Sequence, residues 1–265
     1  MRYLWQIEDE FARAAKNTSA PLMGDTVQAL FWNAVELRAP NVWLRQKELG
    51  IWRAWTWHET GEIVKEIAMG LNALGMQVQD RVSILSNTRA EWMWSDLAIL
   101  SMCGTSAGIY PTDSVSQVHY ILNDSQSRFL FVEDEEQLDK ALEVLPELPQ
   151  LVKVIVFDDK GLRHFEHPNV MTLEALRQLG AKALALEPHR FDTIRKAASP
   201  DHLAILVYTS GTTGKPKGAM HHQAGLVYAI RGHTMIIAQT PQDERMCFLP
   251  LCHIAERVGG ALVSM

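Results

Sequence analysis

An α/β fold with mostly parallel sheets flanked by helices is predicted by three features of this 265-residue sequence. From residue 56 onward, short apolar runs rich in β-branched residues alternate with segments of helical periodicity, the pattern of βαβ units. Two capping boxes, Thr56-x-x-Glu59 and Ser114-x-x-Gln117, each stand at the head of such a helical segment. The composition, 47% hydrophobic and 21% charged, is that of a soluble globular protein with enough apolar residues to bury a core.

The elements follow in order. Residues 25–38 place Val27, Leu30, Phe31, Ala34 and Leu37 at helical spacing. A short antiparallel pair, 42–45 and 52–56, flanks a turn at Glu48-Leu-Gly50. The Thr56 capping box opens a helix carrying Ile63, Ile67, Leu71 and Leu74, which Gly75 ends. A strand over 81–86, a helix over 89–102 and a strand over 105–109 come next. The Ser114 box then leads a helix with Val118, Ile121 and Leu122 into a strand over 128–132. The acidic run 133–136 suits the positive end of a following helix dipole. Residues 151–157 read as a further strand, and 162–198 as a polar, helix-rich connection punctuated by Pro168 and Pro188. We expect residues 1–198 to form an N-terminal α/β subdomain, and residues 199–265 to begin a second, incomplete one with a strand at 203–208.

Composition also excludes function classes. A formal charge of −6 without a basic stripe gives no footprint for nucleic acid, although peripheral contact with lipid stays compatible with it. Three cysteines, with no C-x-x-C pair, suit a reducing compartment, so the chain is expected in the cytoplasm and without a metal site of its own. Glu8, Asp9 and Glu10 interrupt the start before an apolar run develops, so no secretory leader is expected. The most apolar stretch, 92–109, contains Asp96 and breaks at Gly104, which reads as a buried helix and strand rather than a membrane span. All eight tryptophans lie within the first 94 residues and read as core and packing groups.

The chemistry concentrates in Tyr208-Thr-Ser-Gly-Thr-Thr-Gly-Lys-Pro-Lys-Gly218, directly after an apolar strand. Glycines let backbone N–H groups turn toward an anion, hydroxyls donate hydrogen bonds and lysines supply charge, so the segment suits a polyphosphate. It is not a Walker loop, because Thr209 stands where that pattern needs glycine and Pro216 where it needs Ser or Thr. Pro216 also disfavours a helix starting at Lys215.

In this order the segment resembles the ATP phosphate loop of the adenylate-forming, acyl-activating superfamily. The flanking runs Gly50-Ile-Trp-Arg53, Asp80-Arg-Val-Ser-Ile-Leu-Ser-Asn87, Ile109-Tyr-Pro-Thr112 and Phe248-Leu-Pro-Leu-Cys-His-Ile-Ala-Glu-Arg257 resemble bacterial long-chain fatty-acid:CoA ligases, over residues 25–265. The resemblance implies the N-terminal region of the adenylate-forming ligase fold, C-terminally truncated. It implies a two-step reaction: a fatty acid and MgATP give an acyl-adenylate and pyrophosphate, then CoA displaces AMP. Thr209, Ser210, Gly211, Thr212, Thr213 and Gly214 would wrap the β- and γ-phosphates, with charge from Lys217 and, at a more variable position, Lys215. His253 would act near the α-phosphate and the acyl carboxylate as the catalytic candidate. His221 and His222 carry no such role, and Glu256 and Arg257 read equally as a helix-surface charge pair or a substrate contact.

The implied ligands are therefore a fatty acid, ATP, Mg2+ and CoA, with no protein partner indicated. The Tyr-Gly-x-Thr-Glu segment, the ribose-binding Asp and the C-terminal domain with its lysine, all features of the family, do not occur before Met265. The isolated chain is accordingly expected to be inactive in thioester formation. Two other readings stay open: a ligase for medium-chain, aryl or carrier-protein-linked acids, and a non-catalytic nucleotide-binding remnant. A remnant would expose apolar edges, with the strand 203–208 among them.

Overall fold

The computed structural model describes residues 23–209, 215–237, 239–240 and 243–265. Helix α1 (Val27–Arg38) precedes an antiparallel pair, β1 (Val42–Glu48) and β2 (Ile51–Thr56). Their two-residue connection has φ +48° at Leu49 and +82° at Gly50, the left-handed pairing that suits the twist of a tight hairpin. Then come α2 (Trp57–Ala73), β3 (Arg81–Leu85), α3 (Ala90–Ser101), β4 (Thr105–Ile109), α4 (Val115–Asp124), β5 (Ser127–Val132), α5 (Glu135–Val144) and β6 (Lys153–Val156). The remainder is β7 (Val170–Thr172), α6 (Leu173–Leu186), α7 (Arg190–Lys196), β8 (Leu203–Thr209), β9 (Lys217–His222), α8 (Gln223–Ile236) and the single turn α9 (Ile254–Glu256), which runs into a π-helical stretch, Arg257–Leu262.

Strands β3 to β9 form one seven-stranded sheet in the order β7-β6-β5-β3-β4-β8-β9. Every pairing in it is parallel except β8 with β9. Alternate side chains of one strand enter opposite cores, as the pleat requires. Phe129 and Phe131 of β5 join the core built with α2 and α3, whereas Leu130 and Val132 join the core built with α4 and α5. Helices thus cover both faces of the sheet, which is why these strands read as continuous apolar runs.

Both capping boxes close reciprocally: Thr56 accepts from the Glu59 amide at 3.1 Å while Glu59 accepts from the Thr56 amide at 2.8 Å, and Ser114 and Gln117 do the same. Among the described residues the tryptophans are largely packing groups, with Trp43 stacked on Trp57 at 4.4 Å and Trp92 fully buried, whereas Trp52 is exposed.

The polar connection 162–198 also holds a strand not read from sequence, the three-residue edge β7, too short and too half-buried to show a period. The strand expected over 151–157 pairs only through Lys153–Val156. The strand at 203–208 is not an exposed edge: β8 lies between β4 and β9 and is buried along most of its length. The link at Ser199-Pro200 leads into β8, which extends through β4 the sheet begun in residues 1–198. Among the described residues, no helix is long and apolar enough to cross a membrane.

Candidate functional site

The glycine and hydroxyl loop is the connection of an antiparallel hairpin. Thr209, the last residue of β8, is the register partner of Lys217, the first of β9. Directly opposed residues of a pair share a face, so the Thr209 hydroxyl and the Lys217 ammonium stand together at the mouth of the loop, both exposed. Ser210, Gly211, Thr212, Thr213 and Gly214 lie outside the described residues.

Helix α4 holds the stem of this hairpin at two points. The Tyr120 hydroxyl donates to the Pro216 carbonyl at 2.9 Å, and the Lys215 ammonium sits 5.1 Å from the Tyr120 ring centroid. The Tyr208 hydroxyl donates to the Asp124 carboxylate at 2.8 Å, and burial together with that carboxylate pushes the phenol well above its ordinary range.

The segment bearing His253 returns to the same end of the sheet. The Thr88 hydroxyl donates to the Leu249 carbonyl at 2.6 Å, and Leu251 and Cys252 are buried beneath the turn. A Cβ on Gly108 would lie 2.6 Å from Cys252 Cα, so glycine is what lets this segment rest on β4. Gly108 is in register with Val207, two residues before Thr209. The His253 turn and Thr209, the residue that leads into the loop, therefore both lie at the carboxyl ends of β4 and β8, where open α/β sheets bind ligands.

His253 is the exposed N-cap of α9, and its Nδ1 accepts from the Ala255 amide at 3.2 Å. With Nδ1 used as an acceptor, a neutral ring carries its proton on Nε2, free to donate outward. Cys252 behind it is not a nucleophile, because burial pushes its thiol up to about 12. Tyr110 shapes the turn after β4 through its carbonyl, which accepts from the Asp113 amide at 2.9 Å.

Glu256 and Arg257 correct the surface-pair reading. Glu256 is 1% exposed and Arg257 fully buried, so neither is a helix-surface charge. The Arg257 guanidinium grips fully buried Asp96 of α3 with both Nε, at 3.1 Å, and Nη2, and it lies 5.1 Å from the Trp92 ring centroid. Nearby His221 is held below its ordinary value by burial and then by the charge of Arg257. Asp96 was the one available signal in the sequence: a carboxylate inside an apolar helix needs a partner.

The described site residues suit the phosphates of a nucleotide, since a hydroxyl and two exposed ammonium groups converge on one loop. They do not suit a resident metal: among the described residues no three His, Cys, Asp or Glu side chains come together.

The family model of the AMP-binding enzymes matches residues 33–265. The chain is 30% identical over 262 residues to the long-chain-fatty-acid–CoA ligase ACSBG2 of Xenopus laevis, covering 96% of this chain and 35% of that protein. It is 34% identical over 212 residues to the long-chain-fatty-acid–CoA ligase FadD15 of Mycobacterium bovis, covering 78% of this chain and 33% of that one. It thus spans about a third of the length of these curated relatives. Among solved structures, the anthranilate CoA ligase AuaEII in complex with anthranoyl-AMP superposes with a TM-score of 0.77 at 19% identity, covering 92% of this chain and 44% of that one. A long-chain-fatty-acid CoA ligase described as putative, from Rhodopseudomonas palustris, superposes with a TM-score of 0.70 at 17% identity, covering 90% and 55%. With the family model matched over most of its length, the chain belongs to the AMP-binding enzyme family.

Proposed function

We propose that these residues form the ATP-phosphate-binding part of an AMP-forming long-chain fatty-acid:CoA ligase. What carries the reading is that Thr209 and Lys217, which bracket the donor-rich segment, lie at the same end of the sheet as the His253 turn. Thr209, Lys217 and the loop between them bind the β- and γ-phosphates of ATP, and Lys215 adds charge from its seat on Tyr120. Drawing negative charge toward the departing pyrophosphate favours attack by the fatty-acid carboxylate on the α-phosphorus. His253 Nε2–H donates to an oxygen of the reacting pair, which offsets the repulsion of two anions brought together. Mg2+ enters with the nucleotide and screens its phosphates, and CoA then takes the acyl group to give the thioester and AMP. The long-chain assignment is supported by the two relatives above, whose names give that substrate class.

The reading is tested by titrating MgATP into the wild-type chain and into Thr213→Ala and Lys217→Ala variants. Each substitution should weaken binding by about tenfold, the value of one charge-assisted contact. Unchanged affinity in both removes the loop from the site. The 265 residues alone should release no acyl-CoA, and robust thioester formation by them overturns that division of labour. In a chain extended to the length of those relatives, preference for benzoate or acetate over a long-chain acid overturns the substrate class.

A further inference from the structure

We infer that the buried Asp96–Arg257 pair is a positioning device for His253, setting the direction in which the turn presents its imidazole. The inference rests on the reading above only for what His253 does, not for how it is held.

The turn is short and weakly self-supporting. Residues Ile254–Glu256 make a single helical turn, which the wider π-helical stretch Arg257–Leu262 then replaces. One turn fixes its backbone at the cost of nucleation, so it needs outside support. Leu251, Cys252, Ala261 and Leu262 supply apolar burial on either side, but apolar contact is non-directional and leaves rotation about the turn poorly defined.

Two directional ties reach the turn from distant elements. Thr88 holds the Leu249 carbonyl ahead of it, and the two-pronged grip of Arg257 on Asp96 holds it from behind. Arg257 is linked directly to the imidazole residue, because its amide donates to the His253 carbonyl at 3.0 Å and closes the turn. The planar fork accepts one orientation of the carboxylate, so it fixes rotation as well as distance. Asp96 is the carboxylate available to Arg257 among the described residues, since the Glu256 carboxylate faces Arg245 at 3.8 Å. The Trp92 ring and His221 complete its surroundings.

Stability alone is a poor reason for this arrangement. Removing two charges from water costs as much as their attraction returns, and an apolar pair of similar volume often serves a fold equally well or better. Orientation is what an apolar pair cannot supply. The experiment therefore replaces both partners, using Asp96→Leu/Arg257→Met in the full chain.

The double variant should fold with a urea midpoint equal to or above that of the wild type. Its amides at positions 255 and 257 should exchange at least about tenfold faster, after correction for the substituted side chain, while Ile205 and Val207 in β8 keep their protection. MgATP affinity should stay within about twofold. The His253 ring resonances, which should move on MgATP addition in the wild type, should no longer do so. A folded double variant with wild-type protection at positions 255 and 257 overturns the inference, and so does a variant that fails to fold. A wild-type chain that does not bind MgATP sinks the proposed function instead and leaves the exchange comparison intact.

Discussion

The two flanks of the sheet are held by different physics. On the β5–β6 side, Phe129, Phe131 and Ile155 fill one core while Leu130, Val132, Val154 and Val156 fill the other, and each is fully buried. On the far side, β9 is mostly exposed, and Tyr228, Met235 and Ile236 of α8 face outward. The first flank is secured by packing that no single polar contact controls. The second, which carries the candidate site, packs Ile205 and Val207 of β8 against Leu226 and Ile230 of α8, but its exposed hairpin stem and the His253 turn are held in place by a few directional contacts: Tyr120 to Pro216, Tyr208 to Asp124, Thr88 to Leu249 and Arg257 to Asp96. Global stability and site geometry should therefore respond to different substitutions.

Core truncation should show the contrast most strongly. Phe131→Ala empties a fully buried position and should cost about 3–5 kcal/mol in urea unfolding, whereas Phe248→Ala, at a residue 72% exposed, should stay within about 0.5 kcal/mol. Equal losses would break the comparison. Thr56→Ala removes the reciprocal cap of α2 and should cost about 1 kcal/mol globally, since α2 belongs to the packed region; a Thr56→Ser variant should restore most of it.

Tyr120→Phe acts on the other flank. It deletes the hydroxyl that holds Pro216, worth about 0.5–1.5 kcal/mol, but retains the ring under Lys215. Amide exchange at Lys217 and Gly218 should rise more than the change in urea midpoint accounts for; a purely global response would show that the hairpin stem is not held locally.

The smallest effect should come from pH. His221 is held below its ordinary value in the native state, so the unfolded chain takes up that proton first as pH falls. Stability from this source is complete above about pH 6.5 and drains away as pH drops from there through the native value. His221→Asn should make the urea midpoint less sensitive to pH between about 6.5 and 5. Identical slopes in the two proteins would remove His221 from the account.

Legibility in the sequence divides along the same line. The capping boxes, the Leu49-Gly50 turn and the strands β3, β4 and β5 were readable because periodicity, caps and turn chemistry act over a few residues. The edge strand β7 was not, because three half-buried residues carry no period. The segment 209–217 was readable as a donor-rich loop, but not as the connection of an antiparallel hairpin. Arg257 stayed open between a surface charge and a substrate contact, because its partner Asp96 lies 161 positions away.

By itself the sequence determined the α/β class, the order of most elements and the glycine- and hydroxyl-rich character of residues 209–217, all of which follow from local composition and spacing. Tertiary structure alone decided that β8 lies inside the sheet, that β9 runs back along it, and that Asp96 receives Arg257. The reason is physical: which strands become neighbours, and which buried charge meets which, depends on how the two cores close around the sheet, and no window of adjacent residues contains that information.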